Sequence, residues 1–158
     1  MKKNYFILVS LLFLMLGIIS CDNNNQHEPN FISAKINEEN WNGVPEFSIN
    51  SVNDTLTLLG AGNEQVVAFK IKFKGEGVYN LSGTQANYYT TIGGDVISSL
   101  YTLGASSSSQ ITITEYNSEQ NIVKGNFEIS LLKEWSNPEN NTNSLSFTHG
   151  QFKGTITK

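Results

Sequence analysis

Few residues in this chain of 158 residues are suited to acid–base, nucleophilic or metal chemistry. It has one cysteine, Cys21, and two histidines, His27 and His149. The three aspartates lack the spacing of a calcium loop. No serine stands in a Gly-x-Ser-x-Gly elbow, so a hydrolase triad has no nucleophile to start from. His27 lies in a polar stretch, and His149 has no identifiable partner. We therefore expect a protein without catalytic activity, bound metal or cofactor.

The single thiol stands at the end of a segment with its own pattern. Lys2 and Lys3 precede the uncharged apolar run Tyr5–Ile19, and Cys21 follows that run after one serine. A positive start, a short apolar stretch and small residues before a cleavage site are typical of a secretory signal. The run has fifteen residues, whereas a bilayer-spanning helix needs about 20. An uncleaved anchor and a plain secretory cut are the alternatives, and the second leaves the position of the cysteine unexplained.

The six residues that end this segment, Leu16-Gly17-Ile18-Ile19-Ser20-Cys21, resemble the lipobox of bacterial lipoproteins. This resemblance implies that residues 1–20 are cleaved as a lipoprotein signal peptide. Cys21 then becomes an acylated N-terminus held in the outer membrane of the cell envelope, on its periplasmic or its surface face. Residues 21–30 are polar and without periodicity, which predicts a flexible tether. Residues 31–158 have the length of one domain with its own core.

The charge of the mature chain argues against nucleic acid as a partner. Cleavage after residue 20 removes two of the ten lysines and none of the fourteen acids, which leaves a net charge of −6. The chain contains no arginine, the residue best suited to bidentate contact with phosphates and bases. Nucleic-acid affinity also depends on basic patches. The acids are dispersed along the chain, so their charge favours solubility more than it marks a site.

Hydrophobic residues recur with a period of two through most of the mature chain. The clearest alternating runs are residues 32–37, 67–74, 111–114 and 123–131. Weaker runs lie between them, separated by Gly- and Asn-rich turn signals: residues 46–51, 55–59, 78–81, 86–92 and 97–103. Successive strand residues point to opposite faces, so each run has one buried and one solvated side. The pattern predicts an all-β domain, a single antiparallel β-sandwich or flattened β-barrel of about nine or ten strands.

The last two predicted strands are the longest. They cover Gln120–Leu132 and Ser144–Thr157, and an Asn-rich loop, Lys133–Asn143, joins them. The apolar parity of the final strand changes partway along, which predicts a β-bulge at Gly150. Two further glycines lie inside predicted strands, where they indicate bends or close approach of the backbone: Gly125 and Gly154.

Aromatic side chains are the candidates for binding. Tyr88 and Tyr89 are adjacent in a predicted strand, so one of them faces outward. Trp135 falls in the predicted polar loop, where a core role is hard to arrange. Exposed rings suit the face of a sugar or a protein partner, although isolated exposed rings are also ordinary. We name Tyr88, Tyr89 and Trp135 as candidate ligand-binding residues, and we place Trp41 at one end of the core.

A candidate modification site precedes one of the weaker strands. Asp54-Thr55-Leu56 resembles the Asp-Ser/Thr-aliphatic acceptor of O-glycosylation in Bacteroidota. This resemblance makes Thr55 a candidate O-glycosylation site on a bacterial envelope protein.

Several short motifs occur in a fixed order along the chain. After the lipobox they are Phe31–Asn37 leading to Trp41, Gly77–Leu81, Ile111–Tyr116 leading into Val123–Phe127, and Phe147–Phe152. With these motifs the chain resembles small lipoproteins of Bacteroidota that carry a domain of unknown function. The resemblance covers nearly the whole mature chain. It implies a location and a fold and supplies no catalytic residues.

Three functions remain open from the sequence. A binding or adhesion module for glycan or protein requires exposed aromatic residues. A calycin-like carrier of a small apolar ligand requires an apolar cavity inside a closed barrel. A hydrolase requires polar residues that converge near His149. We expect the first, with the membrane as a second contact through the lipid anchor.

Overall fold

The structure is a computed structural model that describes residues 28–105 and 108–158. The signal segment, Cys21 and most of the tether lie outside the described residues. Within them the chain forms ten strands and no helix, and so no helix that spans a membrane. The strands are β1 (Phe31–Ile36), β2 (Glu39–Asn50), β3 (Thr55–Gly62), β4 (Gln65–Lys72), β5 (Gly77–Asn80), β6 (Ala86–Ile92), β7 (Val96–Leu103), β8 (Gln110–Asn117), β9 (Ile122–Ser136) and β10 (Ser144–Thr157). The all-β prediction is confirmed.

The strand pairings close the sheet on itself. Antiparallel pairs join β2, β3, β4, β6, β7, β9 and β10 in that order, and β1 lies between β10 and β2. Beyond the start of β1, β10 meets β2 directly in a short parallel pair, with Ile156 opposite Phe47. β8 pairs with the first half of β9 and carries β5 on its outer side. The result is a flattened barrel, and closure leaves few free sheet edges.

Aromatic and aliphatic side chains from opposite walls fill the interior of the barrel. Phe69 of β4 lies 4.9 Å from Phe127 of β9, between ring centroids, and Phe127 lies 6.5 Å from Phe147 of β10. All three are at most 1% exposed. Full burial of one such side chain stabilises the fold by about 1.5–3 kcal/mol. Alternate residues of each strand supply this core, which is the reason for the period of two in the sequence.

Glycines permit close contacts inside the barrel. A Cβ atom on Gly125 would lie 2.1 Å from the carbonyl oxygen of Thr112 in β8. A Cβ atom on Gly154 would lie 2.2 Å from a ring carbon of Phe47. The close approach predicted at both positions is confirmed.

One local prediction about the last strand pair is wrong, and the predicted bulge of β10 is confirmed. β9 continues to Ser136, so Trp135 lies in a strand and not in the predicted loop. It does so because a register shift between Leu100 and Tyr101 lets the end of β9 stay paired with β7. Residues 148–149 of β10 lie opposite Glu128 of β9, and residues 149–150 lie opposite Ala34 of β1. His149, with φ 54°, adopts the left-handed conformation in this bulge. Gly150 serves packing instead, because a Cβ atom there would lie 2.5 Å from the carbonyl oxygen of Phe127.

The barrel has two unlike ends. Four connections meet at one of them, which we call the hairpin end: β1–β2, β3–β4, β6–β7 and β9–β10. β1 runs toward the hairpin end, so the chain enters the domain from the other direction. Lys153 holds this entry, because its buried Nζ donates to the carbonyl oxygen of Glu28 at 2.8 Å and to the Glu28 carboxylate at 3.2 Å.

Candidate functional site

The structure divides the three predicted aromatic residues between two surfaces. Tyr88 faces the interior and is 5% exposed, whereas Tyr89 is half-buried on the outer surface. Trp135 is 42% exposed. Leu100 of β7 lies opposite Tyr89 on one side and opposite Trp135 on the other. Side chains directly opposite each other share a face, so Tyr89 and Trp135 lie two strands apart on one surface, about 10 Å from each other.

A β-bulge brings Trp135 to the outside. Leu131 is fully buried, and uninterrupted alternation along β9 would carry Trp135 to the same inner face. Lys133 lies opposite Tyr101, and Trp135 lies opposite the next residue, Leu100, so Glu134 is the extra residue of the bulge. The extra residue reverses the parity and points the indole outward.

The surface that carries Tyr89 and Trp135 continues across the sheet as an apolar stripe. Successive register partners define this outer row, which crosses six strands: Val44, Ala61, Val66, Tyr89, Leu100 and Trp135. Val44 is 74% exposed at one end of the row, and Val66 is buried beneath its neighbours. Five strand spacings separate the two ends, or about 24 Å measured along the sheet. The row follows one register line around the outside of the barrel.

Acidic side chains border the outer row. Glu134 precedes Trp135, and its carboxylate accepts a hydrogen bond from the Thr102 hydroxyl at 2.5 Å. Glu64 lies on the hairpin-end side, where its carboxylate accepts the Gly93 N–H at 2.7 Å. Glu46 follows Val44 on β2 and is exposed. The row is therefore an apolar surface with a negative border.

Tyr88 lines a different feature, a pocket of about 490 Å³ at the hairpin end. Trp41 and Tyr88 supply its aromatic lining. The polar residues that line it come from the β1–β2 and β3–β4 hairpins and from the β9–β10 connection: Asn37, Glu39, Asn40, Asn63, Gln65 and Thr142. We call this feature the hairpin-end pocket.

Neighbouring aromatic rings pack against Tyr88, and its burial among them raises the pKa of its phenol. Its ring centroid lies 5.8 Å from that of Tyr101 and 5.5 Å from that of Phe147. Burial, and secondarily the neighbouring Tyr101, raises the pKa of Tyr88 to about 12. The phenol of Tyr88 is therefore neutral throughout the physiological pH range.

Tyr101 fixes the β9–β10 connection at the rim of the hairpin-end pocket. Its hydroxyl lies 3.1 Å from the carbonyl oxygen of Thr142 and 3.3 Å from Asn140 Oδ1, and donates to these acceptors. Thr142 itself lines the pocket. The connection is thus tied to the barrel wall by a side chain of the same inner face as Tyr88.

His149 does not gather partners for catalysis. It is exposed on the bulge of β10 and lines a shallow depression with Lys35 and Asn42, in which no carboxylate takes part. In residues 28–105 and 108–158, no group of three His, Cys, Asp or Glu side chains is placed to hold a metal ion. Thr55 is half-buried at the start of β3, at the end opposite the hairpin end, beside the ion pair of Asp54 with Lys72 (3.4 Å).

Sequence reasoning missed the polar set of the hairpin-end pocket. Asn40, Asn63 and Gln65 belong to two hairpins that the pairing of β2 with β3 places side by side. The available signal was the clustering of asparagine beside predicted turns, which was assigned to turn chemistry alone. Trp41 was placed at one end of the core, and it is found there at 5% exposure.

Comparison with known proteins gives one match. A family model described as a domain of unknown function (DUF6252) matches residues 28–155. No curated protein and no solved structure matches the chain.

Proposed function

The chain belongs to the DUF6252 family, a domain of unknown function, and on that premise we propose that it is a lipid-anchored, non-catalytic binding protein of the cell envelope. Its ligand at the outer row is an envelope protein with an exposed apolar surface. The observation that carries this proposal is the outer row itself, which places Tyr89, Leu100 and Trp135 on one face in direct register.

The composition of the outer row favours a protein over a glycan as the partner on this surface. Tyrosine and tryptophan are enriched in the centres of protein interfaces and among the residues that dominate their binding energy. A sugar needs polar groups that converge around its hydroxyls, and apart from Tyr89 and Trp135 the residues of the row are aliphatic. The exposed rings of the row suit an apolar surface of another protein.

The acidic residues beside the outer row favour a partner with basic residues. Glu46, Glu64 and Glu134 surround the row, and the mature chain carries a net charge of −6. A partner with lysine or arginine around an apolar centre is therefore complementary in charge. Such a border acts mainly on the association rate and on specificity, and salt weakens its effect.

Anchoring at Cys21 is compatible with access to the outer row. Six residues lie between Cys21 and Glu28, the first described residue, and the seven Cα-to-Cα steps from Cys21 to Glu28 span about 25 Å when extended. The chain enters β1 from the end opposite the hairpin end. The tether therefore joins the barrel at the end opposite the hairpin end, and it leaves the half of the barrel that carries the outer row accessible.

The two other functions have less support. A carrier of apolar ligands needs an empty barrel, and here the rings of Phe69, Phe127 and Phe147 contact one another across the interior. A hydrolase needs partners for His149, and the depression beside it holds Lys35 and asparagine side chains without a carboxylate.

The test is photo-crosslinking in intact cells that express the full-length chain. Trp135→Ala and Tyr89→Ala should each weaken capture of the partner by about 30-fold, since loss of an aromatic anchor costs about 2 kcal/mol. Phe31→Ala is the matched control, because Phe31 is 39% exposed and lies outside the row. It should leave capture unchanged. Equal capture by all three variants contradicts the proposal, and so does thermal unfolding of Trp135→Ala at a much lower temperature.

A further inference from the structure

The hairpin-end pocket has the size and placement of a small-molecule site. Its volume of about 490 Å³ falls within the range of about 300–1,000 Å³ for ligand pockets. It opens at the end of a closed barrel, and such barrel mouths are frequent locations for these sites. It is separate from the outer row, because Tyr88 and Trp41 face inward whereas Tyr89 and Trp135 face outward.

The polar side chains of this pocket are not used by the fold. Among the described residues, the side chains of Asn40, Asn63 and Gln65 have no hydrogen-bond partner and Glu39 has no ion pair. Asn37, at the tip of the β1–β2 hairpin, is unlike them, because its Oδ1 accepts the Ser146 N–H at 2.9 Å. Three carboxamides and one carboxylate thus have their hydrogen-bonding capacity available at the rim.

Trp41 adds a buried donor without an acceptor. The residue is 5% exposed, and its Nε1 has no hydrogen-bond partner in the part of the chain that the structure describes. Gly43 and Gly60 make room for the far edge of the indole, since a Cβ atom on either would lie 2.8–2.9 Å from it. An orphaned buried N–H is unfavourable and is rare in folded proteins. The Nε1 atom has no exposed surface here, so an acceptor reaches it when a ligand displaces the side chains that cover it.

We propose that the hairpin-end pocket binds a neutral saccharide. A sugar hydroxyl both donates and accepts, which suits the carboxamides of Asn40, Asn63 and Gln65, and it donates to the carboxylate of Glu39 in a charge-assisted bond. The small exposed parts of Trp41 and Tyr88, 5% of each residue, line the pocket and contact C–H groups of the pyranose. The indole N–H then receives a hydroxyl or ring oxygen as its acceptor.

The same residues disfavour other classes of small molecule. No lysine lines the pocket, and Glu39 repels an anion such as a phosphate or a carboxylate. A purely apolar ligand would cover the carboxamides without replacing their hydrogen bonds to water, which costs free energy for each group. A neutral ligand with many hydroxyl groups is not repelled by Glu39, and it replaces the hydrogen bonds that the carboxamides make to water.

The experiment follows the two indole N–H signals of the full lipidated chain by NMR, with tryptophan labelled with ¹⁵N. Trp41 and Trp135 are its two tryptophans, and Trp135→Ala assigns the signals. The protein is held in lauryldimethylamine oxide, because detergents with sugar headgroups would compete. The probes are maltotriose, cellotriose, mannotriose and N,N′,N″-triacetylchitotriose, added one at a time. At least one should shift the Trp41 signal saturably and slow its exchange with water, and leave the Trp135 signal in place.

Rim variants test whether the shift reports this pocket. Gln65→Ala and Asn40→Ala each remove one hydrogen-bonding side chain and should weaken the affinity for that probe about fivefold. Asn126→Ala, an exposed asparagine on the outer face of β9, should leave the affinity unchanged. Trp135→Ala should also bind the probe normally, which separates this proposal from the one for the outer row.

Three outcomes overturn the saccharide site. The first is that no probe shifts the Trp41 signal. The second is that Gln65→Ala, Asn40→Ala and the unaltered chain bind with the same affinity. The third is a saturable shift with inorganic phosphate or decanoate in the absence of any shift with the four saccharides, which would assign the pocket to another class of ligand.

Discussion

At the scale of single residues, neighbouring positions in β9 have opposite surroundings. Ile129 is 2% exposed in the core, whereas Glu128 is exposed on the outer face opposite Gln110. Ile129→Asp buries a charge without a partner, so we expect the domain to unfold under native conditions. Glu128→Lys should change the free energy of unfolding by less than about 0.5 kcal/mol. Chemical denaturation measures both, and equal sensitivity at the two positions would contradict a sheet with one solvated face.

Tyr88 gives a pH dependence whose sign follows from its burial. Its pKa is raised from the ordinary value of 10.0 to about 12, chiefly by burial. Between these values the unfolded chain has lost a phenol proton that the folded chain still holds, so this contribution to stability is complete below pH 10 and declines as the pH rises toward 12. Tyr88→Phe should therefore lose less stability over that interval.

Thermal melts of both chains from pH 8 to pH 12 measure this difference, and absorbance of the tyrosinates in the folded chain gives the titration directly. The two chains differ only in the Tyr88 hydroxyl, so the difference between their melting temperatures reports that hydroxyl and its interaction with Tyr101. Parallel declines in melting temperature would mean that Tyr88 does not carry a raised pKa in the folded state.

At the scale of elements, the close pairing of β8 with β9 depends on the absence of a side chain at Gly125. A Cβ atom on Gly125 would lie 2.1 Å from a backbone oxygen, that of Thr112, which cannot rotate away. Gly125→Ala should therefore force the two strands apart and destabilise the domain by about 3 kcal/mol. Asn126→Ala, one residue along on the exposed side, should have an effect within about 0.5 kcal/mol. Urea denaturation compares the two, and an unaffected Gly125→Ala would show that the strands tolerate separation there.

The strand bounds were predictable to different degrees. β6 and β10 begin and end at the residues expected from their alternation and turn signals, Ala86–Ile92 and Ser144–Thr157. The end of β9 was not, because Lys133–Asn143 has the polar composition of a loop while pairing with β7 keeps it extended to Ser136. A bulge is a property of two strands in register, so the position of the one at Glu134 could not be read from β9 alone.

At the scale of the whole molecule, the proposed function requires attachment through Cys21. Two or more acyl chains make attachment stable without a membrane-spanning segment, since each buried methylene contributes about 0.8 kcal/mol. Cys21→Ala should abolish fatty-acid labelling and prevent lipoprotein processing. Metabolic labelling with an alkyne fatty acid, followed by electrophoresis, measures both. A Cys21→Ala chain that is still labelled would contradict the anchor, whereas loss of label with normal folding would support it.

The amino-acid sequence by itself determined the all-β class, the approximate number of strands and the inward direction of the main core residues. These follow from alternation, because side-chain direction in a strand is a local property with a period of two. The sequence also determined that Tyr88 and Tyr89 face opposite ways. It left open which of them is inside, and which residues of distant strands are neighbours.

Only the tertiary structure decided that Tyr89 and Trp135 share one row, while Tyr88 lies with Trp41 in the hairpin-end pocket. The outer row depends on the register of β6, β7 and β9 and on the bulge at Glu134, which reverses the parity of Trp135. The pocket depends on closure of the sheet, which brings hairpin tips from distant parts of the chain to one end. Register and closure are set by packing between strands far apart in sequence, and no local pattern encodes them.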